Sequence, residues 1–195
     1  MATEASVRGY PASLHIDYPE AANRLTTFFR LIVVIPIAII WSLASYAAGY
    51  LFFALLLMIL FRKKYPRWWF DWNLALTRFG LRIYSYMLLL THEYPSSDEQ
   101  QSVHLELEYP DAQKLGRGMP LVKWLLAVPH IFILYFLGVA VMFVTLIAWF
   151  AILITGRYPR GMFDFVLGVM RWGIRVQAYA MLLITDDYPP FSLEP

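Results

Sequence analysis

Asp71, Arg78 and Arg82 recur further along the chain as Asp164, Arg171 and Arg175, and these six are the ionisable residues best placed to do chemistry. At 100° per residue Asp71, Ala75, Arg78, Arg82 and Ser85 fall on one narrow helical stripe, and Asp164, Gly168, Arg171, Arg175 and Ala178 repeat it. Ionisable groups in apolar segments are candidates for proton relays and ion paths. Four arginines argue against both, because a guanidinium stays charged at any accessible pH and repels a cation. The expected role is structural. A small residue four positions after each aspartate leaves room for an arginine, from the same copy or the other, to reach back and pair.

The remaining candidates are sparse. Of four histidines, His15, His92 and His104 lie outside the long apolar runs, and only His130 lies within one. Haem ligation between helices usually needs two facing histidines, and Ile37 stands where a second would be required. There is no cysteine, which removes disulfide and thiolate-metal chemistry. Paired carboxylates, metal-ligand spacing, a Gly-rich phosphate loop and a nucleophile motif are all missing from the sequence. No cofactor and no catalysis are expected.

Composition says what must position these residues. Hydrophobic residues make up 59% of the 195 and charged residues only 15%, against roughly 25% charged in a soluble domain. Residues 31 to 61 and 124 to 156 carry no charge at all, and uninterrupted apolar runs of more than ~18 residues read as membrane-embedded helices. The first 28 residues lack the pattern of a cleaved signal. A net charge of +2 is too small to suggest nucleic acid. The positive charge is local instead, in Arg62, Lys63, Lys64 and Arg67 and again in Arg157 and Arg160, and suits anionic lipid headgroups.

The chain repeats itself. A shift of 93 residues lays 65 to 92 on 158 to 185 with 12 of 28 positions identical, including both stripes of charge and Gly80 with Gly173. Pro36 meets Pro129, Tyr18-Pro19 meets Tyr109-Pro110, and Tyr94-Pro95 meets Tyr188-Pro189. Each copy opens with an alternating stretch, residues 14 to 18 and 104 to 109, whose period of two suits a strand. Since a lone strand is unstable, the two are expected to pair with each other outside the bilayer. A long apolar helix follows (about 31 to 61 and 124 to 155), kinked at Pro36 and Pro129. A basic Tyr-Pro turn then leads to a second helix (about 68 to 91 and 161 to 184). The divisions read as a tail 1–12, a repeat 13–97, a linker 98–102, a repeat 103–191 and a tail 192–195.

Several segments carry a family resemblance: Arg-Leu-Ile-Val-Val-Ile-Pro at 30 to 36, Leu-Leu-Ala-Val-Pro-His at 125 to 130, Thr-Gly-Arg-Tyr-Pro-Arg-Gly-Met-Phe-Asp-Phe at 155 to 165, and Thr-Asp-Asp-Tyr-Pro-Pro-Phe at 185 to 191. They resemble the bacterial membrane family DUF4389 over nearly the whole chain. In the first copy the Gly-Arg-Tyr-Pro-Arg-Gly element reads Lys63-Lys64-Tyr65-Pro66-Arg67-Trp68, a departure that points to a specific contact. The resemblance implies an architecture and no mechanism.

The expected fold is therefore an all-α integral membrane protein of two tandem repeats with about four membrane-embedded helices and a short two-stranded β element outside. Residues 93 to 111 hold six acids and no lysine or arginine, so the charge rule places both basic turns in the cytoplasm and both termini outside. The expected function is a non-catalytic scaffold or accessory subunit whose partners are membrane lipids and other integral subunits or a second copy. A small transporter, a lipid-handling protein and a membrane-shaping protein are the alternatives.

Overall fold

The computed structural model describes residues 10 to 21 and 24 to 195. Most of the expected N-terminal tail, residues 1 to 9, lies outside them. The order of elements is strand β1 (Ala12–Ile16), helices α1 (Arg24–Val33), α2 (Ile35–Leu57) and α3 (Arg67–Met87), then strand β2 (Val103–Leu107) and helices α4 (Met119–Leu126), α5 (Val128–Thr155) and α6 (Arg160–Ala180). The two copies thus have the same parts in the same order.

Each long apolar run is two helices with a one-residue break. Pro36 and Pro129 are the second residues of α2 and α5, and each lacks the N–H that would bond to the carbonyl four residues earlier. Val34 and Ala127, at the breaks, keep right-handed helical angles, so the chain passes through each break without unwinding. At its far end α2 loosens into a π-helical turn, Met58–Arg62, and stops at Lys63 with φ +47°. The second copy stops at Gly156 with φ +75°. Only glycine adopts that region without steric cost.

The strands do pair, over Ala12–Ile16 and Val103–Leu107 in place of the expected 14 to 18 and 104 to 109. They are antiparallel, with Ala12 opposite Leu107, Leu14 opposite Leu105 and Ile16 opposite Val103. Alternation does the rest: Leu14, Ile16, Val103 and Leu105 are buried in the core with Phe70, Leu81, Phe163 and Val166, while Ser13, His15, His104 and Glu106 face outward. The ribbon crosses between copies. β1, from the first copy, packs along α6 of the second, and β2 packs along α3 of the first.

That crossing fixes the direction of the helices. The Tyr65 hydroxyl, just before α3, donates to the carbonyl of Leu182, just after α6, at 2.6 Å. The start of α3 therefore lies beside the end of α6, and the two helices run antiparallel. This corrects the expected topology. Both basic turns were placed on one side by letting every copy cross twice, whereas they stand at opposite ends of the α3–α6 pair. Among the described residues, two helical stretches, Ile35–Arg62 and Met119–Thr155, are long and apolar enough to cross a membrane, in place of the four expected. α3 and α6 fail that test because their charged stripes interrupt the apolar surface.

Candidate functional site

The stripe arginines meet the ribbon. Arg78 donates through Nε and Nη2 to the carbonyl of Leu105 at 3.1 and 3.0 Å, and Arg171 donates through Nε to the carbonyl of Leu14 at 2.9 Å. The Asp17 N–H donates to the Ser102 carbonyl and the Glu108 N–H to that of Pro11, so Leu14 and Leu105 form a non-bonded pair whose carbonyls point away from each other. A two-stranded ribbon leaves such edge carbonyls unpaired, and here each finds a guanidinium. Arg82 reaches the Ser96 carbonyl at 2.7 Å, and Arg175, itself buried, donates to the Glu194 carbonyl at 3.1 Å and to that of Ser192.

The expected acid–base pairing between the stripes does not form. Asp71 pairs with Arg67, four residues earlier and exposed, at 3.1 Å. Asp164 takes no ion pair among the described residues. Seven residues along a helix is about 10 Å of rise, too far for Asp71 to meet Arg78 directly. The backbone carbonyls of the strands lie closer, and they need donors.

The basic turns hold the entry tyrosines of the opposite copy. The Tyr109 hydroxyl donates to the Tyr65 carbonyl at 2.5 Å, and Tyr18 does the same to Tyr158. Arg67 lies over the Tyr109 ring at 4.7 Å and Arg160 over the Tyr18 ring at 4.3 Å, a favourable cation–π arrangement. Lys63 donates to the Gln113 carbonyl at 3.0 Å, the specific contact that its departure from the repeat pattern suggested. Arg62, Lys64 and Arg157 remain exposed.

Sequence reasoning missed the two most buried cations. Arg30 is 1% exposed and Lys123 0%. Arg30 donates to the carbonyls of Tyr86 (3.0 Å) and Thr91 (2.8 Å) and to His92 Nδ1 (2.7 Å). Lys123 donates to the Thr185 carbonyl at 2.6 Å and pairs with Asp186 at 2.7 Å. Each ties the helix before the proline break to the chain that leaves the amphipathic helix. The signal was available, since the 93-residue shift that aligns Pro36 with Pro129 also aligns Arg30 with Lys123. The closing tyrosines add to this tie: Tyr94 reaches the Val33 carbonyl (3.4 Å) and Tyr188 the Leu126 carbonyl (3.1 Å).

The histidines are absorbed into packing or into the ribbon. His130 is fully buried, accepts at Nδ1 from the Trp172 indole at 3.0 Å and stacks on Phe191. His15 and His104 stack across the ribbon, and their Nε2 atoms lie 3.3 and 3.2 Å from the two oxygens of Asp17. Among the described residues no group of three or more His, Cys, Asp or Glu is arranged to hold a metal ion. Burial, reinforced by the Arg30 charge, holds His92 below the usual histidine range. The Tyr10 hydroxyl is pushed well above the usual tyrosine range by burial and then by Asp187.

Two hollows exist. One, of about 480 Å³, is a shallow groove on α2 lined by Trp41, Ser45, Gly49 and Phe53. The other, of about 460 Å³, is lined by Glu108, Asp111, Lys114, Asp186 and Asp187. Asp186 is already committed to Lys123 and to the Gly116 N–H. In the second hollow the Thr185 hydroxyl donates to the Asp187 carboxylate at 3.3 Å and accepts from the Asp187 N–H, a local turn contact. The contacts the arrangement makes are clamps: Arg78 and Arg171 on the ribbon carbonyls, with Arg67 and Arg160 over Tyr109 and Tyr18, join the two copies through crossed strands.

No curated protein and no solved structure matches the chain. A family model does, over residues 24–97 and 119–192, once for each copy. The chain therefore belongs to the family described as a domain of unknown function, DUF4389, and carries two tandem copies of it.

Proposed function

We propose that the protein is a non-catalytic integral membrane scaffold or accessory subunit of a larger membrane complex, seated in the cytoplasmic membrane of a bacterium and in contact with lipid. One observation carries this reading. In each long apolar stretch only 11% of the most apolar window is buried within the chain, and large side chains such as Tyr50, Phe53, Phe61, Met142, Phe143 and Ile154 are mostly exposed. A surface of that size and apolarity marks a membrane or protein contact. The arginines that would attract an anionic solute in a transporter are spent on backbone carbonyls, two of them in the ribbon and the others in the segments that follow α3 and α6, which supports a locked frame over a moving one.

Extraction of native membranes in mild detergent, followed by native mass spectrometry, tests the reading. The expected result is a complex of fixed stoichiometry, with other subunits or a second copy, that retains lipid. A lipid-free monomer in every detergent overturns it.

A further inference from the structure

The layers of the fold determine how such a surface can meet lipid. Along α3, Gly80 lies about 200° round the helix from Arg78 at 100° per residue. An atom placed at the Gly80 Cβ position would touch the Trp41 indole of α2, whereas Arg78 grips the ribbon. The ribbon and α2 thus cover opposite faces of α3. In the second copy Trp172, Val176 and Ala180, about 100° to 180° round α6 from Arg171, pack with Leu134 and Leu137 of α5, while Arg171 itself grips β1. The molecule is three layers deep: ribbon, amphipathic helices, apolar helices.

All three layers run in nearly the same direction. α2 joins α3, and α5 joins α6, through short turns, and the far ends meet again where Val34, Ile37 and Trp41 pack on Ile83 and Tyr86. β1 lies along α6 from Tyr18 beside Tyr158 to Tyr10 beside Arg175. If α2 and α5 stood across a bilayer, the ribbon would stand across it too. Its outward face, with the exposed Asp17 and Glu106, would then be immersed in hydrocarbon, where charges and open strand edges are not tolerated. The two basic turns, about 31 Å apart along the 21 residues of α3, would also emerge on opposite sides, against the cytoplasmic bias of Lys and Arg.

We propose that the chain lies flat in one leaflet, with α2 and α5 sunk in the acyl layer, α3 and α6 at headgroup depth and the β1–β2 ribbon in water. The pseudo-two-fold axis between the copies then stands along the membrane normal. A helix is about 10 Å across, which fits within half of a ~30 Å hydrocarbon core. The same seating brings the exposed Arg62, Lys64 and Arg157 to the headgroup plane at both ends of the molecule, complementary to anionic lipid. The occupant of the apolar face is thus a lipid monolayer. This seating rests on the membrane reading above and deepens it.

The chain has no cysteine, so single substitutions report position cleanly. Lys64→Cys, Arg157→Cys and Glu106→Cys would be probed with a membrane-impermeant maleimide, in spheroplasts and in inverted vesicles from cells making the full chain. The flat seating expects all three to label in the same preparation and none in the other. Labelling of positions 64 and 157 in opposite preparations overturns it and leaves membrane residence intact. Recovery of the chain in the soluble fraction overturns both readings. Arg62→Cys and Gly161→Cys, exposed at the same two ends, repeat the measurement should either first variant fail to accumulate.

Discussion

Leu14 and Leu105 face each other across the ribbon, and each is the other's equivalent in the repeat, 91 residues apart like Tyr18 and Tyr109. The pseudo-two-fold axis passes between them. Their outward carbonyls accept from Arg171 and Arg78, which are themselves equivalent. Two copies of one sequence therefore meet at a self-complementary seam, in the manner of a symmetric dimer joined into one chain.

The seam can be broken selectively. Arg78→Met or Arg171→Met strands a carbonyl at the ribbon edge, and each is expected to cost about 1–3 kcal/mol, the penalty for orphaning a buried polar group. Asp71→Asn removes only an exposed i,i+4 pair and is expected to cost less than about 0.5 kcal/mol. Thermal unfolding in one detergent, followed by tryptophan fluorescence, ranks the three. An Asp71 effect equal to that of Arg78 would restore the acid–base pairing read from sequence.

Lys63→Gly is expected to stabilise. Lys63 sits at φ +47° where the second copy has Gly156, and a left-handed residue with a side chain carries about 1–2 kcal/mol of strain. Its exposed bond to Gln113 offsets only part of that. The matching change, Gly156→Ala, should lower the melting temperature.

Gly80 and Gly173 are equivalent in sequence and opposite in consequence. A Cβ at Gly80 would lie 2.5 Å from the Trp41 Nε1, whereas nothing lies within 4 Å at Gly173. Gly80→Ala should cost about 1–3 kcal/mol through overpacking, and Gly173→Ala should gain up to about 1 kcal/mol from helix propensity. Paired melting curves decide it; a gain at both would show that Trp41 moves aside freely.

Acid should loosen the hold on α1. His92 must be neutral to accept from Arg30, and burial with the Arg30 charge holds its folded pKa below the ordinary 6.5. The unfolded chain therefore binds the proton more readily, so the contribution is full above about pH 6.5 and is lost as pH falls through the window below it. Unfolding measured from pH 7.5 to 5 should show this decline, and His92→Gln, whose amide oxygen can accept from Arg30 without titrating, should flatten it. An unchanged slope in the variant would assign the decline elsewhere.

Much of the architecture was written locally. Proline without an N–H marks the breaks at Pro36 and Pro129, alternation marks Leu14 to Tyr18 and His104 to Tyr109 as strands, and the duplicated Tyr-Pro elements mark the ends of each copy. Each of these signals resides in a few consecutive side chains, so the sequence by itself determined the repeat, the order of its parts and the need for the two strands to pair. It also carried the alignment of Arg30 with Lys123 without disclosing its meaning. Only the tertiary structure decided that the strands cross to the opposite copy, that α3 and α6 run antiparallel and that the basic turns lie at opposite ends. The reason is that Arg78, Arg171, Arg30 and Lys123 all bond to backbone carbonyls. Every residue has a carbonyl, so such a partner leaves no trace in residue type, and an acid placed nearby in sequence looks like the better match until the chain is folded.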